Sequence, residues 1–189
     1  MEVHERSNLI RVLDKTVKAI KNEDVISLND LSNQTIHDAT ILQDEYAISF
    51  AVLVYTLSKL YERHAHYGQF KGWDKFCSDC IKSLEDSKIS LEKNNILDFE
   101  VNIKSYLKNL ERVDSKLKVY IKDVLNKAKI NKASRLYEHG LSVGHTAELL
   151  GISRYELMDY IGKTYIADVK ENQTTSVKKR LETARKVFS

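Results

Sequence analysis

The chain has no proline in its 189 residues and only six glycines. Average usage would supply about nine and about thirteen. Both residues punctuate strands, hairpins and tight loops, so their scarcity excludes a many-stranded sandwich or barrel. Long hydrophobic runs are missing as well. The most apolar stretch, Tyr46 to Leu57, is interrupted by Ser49 and Thr56 and falls short of the roughly 20 residues that span a bilayer. It reads as a buried helix. The N-terminal MEVHERSN has no apolar core of a secretory signal. Two cysteines three positions apart cannot build a disulfide framework. These absences together lead to the expectation of a cytoplasmic protein without a membrane partner.

What is present is a globular balance of 42% hydrophobic and 30% charged residues. The charge is divided unevenly. Residues 1–100 carry 12 Lys/Arg against 17 Asp/Glu, and residues 101–189 carry 18 against 10. A basic second half points to an anionic partner; the plain alternative is a lysine-rich face turned to water. Four of the six glycines (Gly140, Gly144, Gly151, Gly162) crowd into one short stretch of that half.

Helical periodicity begins at once, with Leu9, Leu13, Val17 and Ile20 on one stripe. A second helix is expected from near Asn29 or Asp30. Asp44 is a candidate N-cap for a third, reaching about His66, whose apolar residues run almost all the way round and mark it as the centre of a bundle. Gly68 and Gly72 bracket a loop, and Trp73, Phe76, Cys77, Cys80, Ile81, Leu84 and Leu91 stripe a fourth helix. Phe99, Ile103, Tyr106, Leu110, Val113, Leu117, Tyr120 and Val124 then alternate at spacings of four and three, an a/d heptad pattern. They predict one long helix of about 30 residues, ~45 Å, or a helix broken near Asp114. Leu107, Ile121 and Ala128 widen the stripe, which suits packing in a bundle better than a two-stranded coiled coil. Lysines, Lys129 among them, occupy the outer face. Three short helices are expected next, over 131–139, 143–150 and 153–161. A basic linker and a last amphipathic helix, with Val177, Leu181, Ala184 and Phe188 on one side, complete the chain.

The segment from Val143 to Ile161 has the layout of a helix-turn-helix. Ala147 is the small residue where two helices cross. Gly151, four residues on, tolerates the positive φ of the turn. Leu150, Ile152, Leu157 and Ile161 close a three-helix core, and Ser153 with Glu156 forms an S-x-x-E capping box. This alanine–glycine–isoleucine–leucine spacing resembles phage repressor and Cro modules. The longer run LYEHGLSVGHTAELLGISRYEL, from Leu136 to Leu157, resembles a small prokaryotic helix-turn-helix family whose members are often associated with antitoxins and with archaeal proteins. The resemblance covers about residues 131–162, and His145-Thr146 stands where that family often has Lys-Ala.

The resemblance implies a second helix in the major groove, with Ser153, Arg154, Tyr155 and Met158 meeting bases. Asp159 shares that outward face. Phosphate contacts fall to Ser142, His145, Thr146, Lys132, Arg135, Lys163, Lys178, Lys179 and Arg180. Residues 136–162 carry Glu138, Glu148, Glu156 and Asp159 against one arginine, so phosphate neutralisation rests largely on their flanks.

Other chemistry is weighed against these. Cys77 and Cys80, with His64 and His66 upstream, are candidate zinc ligands. They lie on an apolar stripe, where cysteines are ordinary core residues, and no metal or other cofactor is expected. The bundle lacks the arginine-to-histidine spacing of HEPN ribonucleases, and no enzyme activity is expected.

The expectation is therefore an all-α fold in three parts. Residues 1–129 form a helical bundle serving dimerisation or partner or ligand binding. Residues 130–165 form a helix-turn-helix module, and 166–189 the basic linker and C-terminal helix. The expected function is a sequence-specific regulator binding double-stranded DNA, antitoxin-like in kind, as a homodimer. The bundle offers a surface for a protein partner. The alternative is a helical adapter whose module binds protein or structured RNA.

Overall fold

The computed structural model describes residues 1, 3–42, 45–109 and 115–164, and within these the side chains of all but 40–42, 45 and 106–109. Among the described residues the chain is all-α and has no strand: α1 (Val3–Lys21), α2 (Val25–Leu42), α3 (Glu45–Glu62), α4 (His64–Tyr67), α5 (Trp73–Glu92), α6 (Ile96–Asn109), α7 (Ser115–Glu138), α8 (Val143–Leu150) and α9 (Arg154–Thr164). None of these helices is long and apolar enough to cross a membrane. The expected N-cap Asp44, residues 110–114 and everything from 165 onward, including Lys178, Lys179, Arg180 and the last amphipathic helix, lie outside the described residues.

The core is organised around α3. Its buried residues include Ile48, Phe50, Val52, Val54, Leu57 and Leu60, which face several directions around the helix, and it packs against α1, α2, α4 and α7. Buried hydroxyls at its contacts bond its backbone carbonyls: Thr56 donates to Val52 O at 2.7 Å, and Ser32 of α2 donates to Ala51 O at 2.7 Å. The α1 stripe Leu9, Leu13, Val17 and Ile20 is buried, against α2 and α5. α2 starts earlier than its hydrophobic pattern indicates. Asp24 caps it, accepting from Ser27 N at 2.9 Å and Ser27 Oγ at 2.6 Å.

Two interhelical turns in this part use no glycine. Glu23 and Asn94 take positive φ, 52° and 58°. At each, paired bonds close the preceding helix in a Schellman arrangement: Glu23 N to Ile20 O and Asp24 N to Ala19 O, then Asn94 N to Leu91 O and Asn95 N to Ser90 O. Glycine scarcity therefore understates the turns in the first half.

α5 and α6 form a hairpin. Ser83, Ser87 and Ser90 lie buried along α5, each hydroxyl donating to the carbonyl one turn back. Small side chains let α6 approach closely, and Ser105 and Asn102 of α6 bond to Ser83 and Ser90 at 3.1 Å.

Leu110 and Val113 of the heptad pattern lie outside the described residues; the rest are carried by two helices with different partners, α6 on α5 and α7 on α2 and α3. On α7 the buried stripe runs Leu117, Ile121, Val124, Ala128 and Lys132, while Tyr120 is 41% exposed. The expected short helix over 131–139 is the end of α7, which passes unbroken through 129–130. Nothing in its sequence stops it, since the stripe continues to Leu136, which is fully buried. A single buried apolar cluster extends from Leu9 to Ile161.

Candidate nucleic-acid interface

α7 ends at a Schellman turn on Gly140, with φ of 96°, Gly140 N bonding Tyr137 O and Leu141 N bonding Leu136 O. Ser142 then caps α8, its Oγ accepting from His145 N at 3.2 Å. α8 closes the same way on Gly151 (φ 58°, ψ 47°), with Gly151 N to Glu148 O at 3.2 Å and Ile152 N to Ala147 O at 3.0 Å. A side chain at this φ would be strained. The capping box forms in both directions: Ser153 N donates to Glu156 Oε2 at 2.9 Å and Glu156 N to Ser153 Oγ at 3.1 Å. These bonds hold the Glu156 carboxyl below its ordinary range. Ala147, Leu150, Leu157 and Ile161 are buried and Ile152 half-buried. α8 and α9 pack on each other and on α7, so the segment forms a helix-turn-helix unit built on the end of α7.

The residues expected to touch nucleic acid divide into two groups. Ser153, Arg154, Tyr155 and Met158 lie at the surface of α9, Tyr155 being 89% exposed. Arg154 reaches back across the turn. A Cβ built on Gly144 would stand 3.2 Å from its Nη2, so the guanidinium covers the first turn of α8. Ser142 and His145 are exposed there. Arg135 donates to Glu138 at 2.9 Å and Lys163 to Asp159 at 2.6 Å, with Arg135 and Lys163 both open to solvent.

Two expected phosphate contacts must be withdrawn. Lys132 is fully buried, its Nζ donating to Asn33 Oδ1 at 2.8 Å and lying 4.4 Å from the centre of the Tyr55 ring. Burial, with Arg135 and Lys59 nearby, pushes this lysine down to about 8. The cause is its place one turn beyond Ala128 on the buried stripe of α7. Thr146 is also fully buried, and among the described residues its Oγ1 has no hydrogen-bond partner. It faces the core because it precedes Ala147 at the helix crossing. Lys129, expected on the outer face, is half-buried, its Nζ 3.9 Å from the Cβ position of Gly151.

The candidate metal ligands serve packing. Cys80 is buried and Cys77 half-buried. Burial raises both thiols, outweighing at Cys77 the opposing pull of the Tyr61 hydroxyl, so neither is primed as a thiolate. His64 stacks on Trp73 at 5.7 Å, while His66 meets Tyr67, Phe70 and Tyr120 edge-on. Among the described residues no three His, Cys, Asp or Glu side chains group as a metal would require.

No protein-family model matches the chain, and no curated protein or solved structure is recognisably similar to it. The functional reading rests on the residues themselves. Sequence reasoning missed the approach of Arg154 to Gly144. A glycine at the second position of a short helix was the available signal.

Proposed function

We propose that this protein binds double-stranded DNA through α8 and α9 as a homodimeric regulator. The observation that carries the reading is the division of labour on α9. Leu157 and Ile161 hold the helix in place, while Arg154, Tyr155 and Met158 stand at the surface, Arg154 lying over Gly144. An arginine beside an aromatic and a thioether at the start of a second motif helix suits guanine and thymine-methyl contacts in a major groove. The acidic residues of the module weigh less against this than their number implies. Glu156 is engaged in the capping box, Asp159 with Lys163 and Glu138 with Arg135. Ser142, His145 and Arg154 cluster about the first turn of α8, where free amides and the helix dipole favour a phosphate.

Fluorescence anisotropy against labelled duplexes over a range of salt tests the reading. About five phosphate contacts give a slope of log K on log[salt] of roughly −4 to −5. Arg154→Ala is expected to relax base preference at one position at about 1–3 kcal/mol. Changing Lys178, Lys179 and Arg180 together is expected to flatten the slope. A folded protein that binds no duplex at about 50 mM salt overturns the proposal. The exposed Tyr155 and Met158 favour a second reading, a protein-binding surface, which that result would leave standing.

A further inference from the structure

A pocket of about 240 Å³ opens where the bundle meets α8. Phe50 and Leu53 of α3, Ile103 of α6, Leu125 of α7 and Leu149 of α8 form apolar walls, Ser49 adds a hydroxyl, and among the described residues Lys129 is the one charged lining residue. Among the described residues no carboxylate pairs with Lys129. We propose that this pocket binds a small apolar monocarboxylate, the tail between α3, α6 and α7 and the carboxylate against the Lys129 ammonium.

Three features select that chemistry. The walls accept hydrocarbon and offer little else, so the bulk of the ligand is apolar. The lone ammonium at the edge repels an amine and attracts an anion. Its charge already lies beside the C-terminal end of α8, 3.9 Å from the Cβ position of Gly151. The partial negative charge of that helix end disfavours a phosphate dianion, which would also need more donors than one lysine supplies. A dry 150 Å³ cavity accommodates benzene, so 240 Å³ corresponds to about ten non-hydrogen atoms. Octanoate has that size. Leu149 and Leu150 bring α8 into the wall, so occupancy touches the helix whose first turn carries Ser142 and His145.

The site is independent of the DNA reading, and its test uses the full chain without nucleic acid. Octanoate, octanol and octylammonium are titrated by calorimetry and by methyl NMR into the parent protein, Lys129→Met and Leu125→Trp, with circular dichroism confirming each fold. Octanoate is expected to saturate with Kd of about 0.1–1 mM, an ordinary efficiency for ten atoms, shifting the methyls of Ile103, Leu125 and Leu149. Lys129→Met is expected to weaken octanoate about tenfold and octanol less than twofold, the loss of one charge-assisted contact. Leu125→Trp fills the space and abolishes both. The proposal is overturned if octanoate does not saturate by about 10 mM, if octanol or octylammonium binds the parent equally well, or if Lys129→Met retains full octanoate affinity. Should the tryptophan variant not fold, the lysine variant with its three ligands decides the matter.

Discussion

Lys132→Met tests the core of this fold most directly. The native side chain is fully buried, with Asn33 Oδ1 and the Tyr55 ring as its recorded partners. Its proton affinity falls from 10.5 in water to about 8 in the fold, and at about 1.4 kcal/mol per tenfold change this is a penalty of about 3 kcal/mol on the charged form. The sign follows from the two values. The unfolded chain holds the proton up to 10.5 and the folded chain only to about 8, so between them unfolding takes up a proton and rising pH favours the fold. Methionine matches the stem in length and removes the charge. The lost cation–π contact returns about 1–2 kcal/mol of the gain, and exposed Asn33 turns to water. Urea unfolding at pH 7 is expected to show the variant more stable by about 1–2 kcal/mol, with that advantage disappearing by about pH 9.5 as the parent sheds its proton. A variant less stable at pH 7, or parallel pH profiles for the two proteins, would refute the reasoning.

Three further outcomes are expected. Thr146→Val replaces a buried hydroxyl without a recorded partner by an isostere and is expected to raise stability by about 1–2 kcal/mol; a fall in the urea midpoint would show the hydroxyl is satisfied. Glu23→Gly relieves a left-handed backbone at φ 52° and is expected to add about 0.5–1 kcal/mol, whereas Glu23→Ala keeps the strain and adds nothing. Asp14, held down at about 2 by Lys18 and Lys88, contributes stability at pH above its ordinary 3.8 that is lost as pH falls through about 2. Asp14→Asn is therefore expected to flatten the acid limb of the stability profile, and an unchanged limb would place the acid sensitivity elsewhere.

Much of the fold was legible because its causes are local. The 4-4-3 spacing of Leu9, Leu13, Val17 and Ile20 needs only helical geometry to reach the core. The all-round apolarity of α3 leaves it no place but the centre. In the module, Ala147, Gly151 and the Ser153–Glu156 box each act within a few residues, and their bonds formed as their spacing predicts. What escaped notice depends on partners distant in sequence. Lys132 reads as a surface charge until Asn33 and Tyr55 are placed against it. The serines of α5 look polar, yet α6 makes their smallness useful. The α2 start was hidden because Asp24 and Glu23 do the work of a glycine. Arg154 was legible as an exposed cation, but its place over Gly144 required the turn between them to be built.

The 24 residues of α7 form a rod of about 36 Å that lies against α3 and α2 and carries α8 and α9 towards its C-terminal end. No hinge separates α8 and α9 from the bundle along this rod. A tilt of α7 caused by any event at the bundle end must therefore be delivered whole to α9, as an oar transmits the motion of its handle to the blade. The same continuity gives the two regions a common unfolding transition, because melting α8 and α9 strips apolar cover from a helix the bundle still requires.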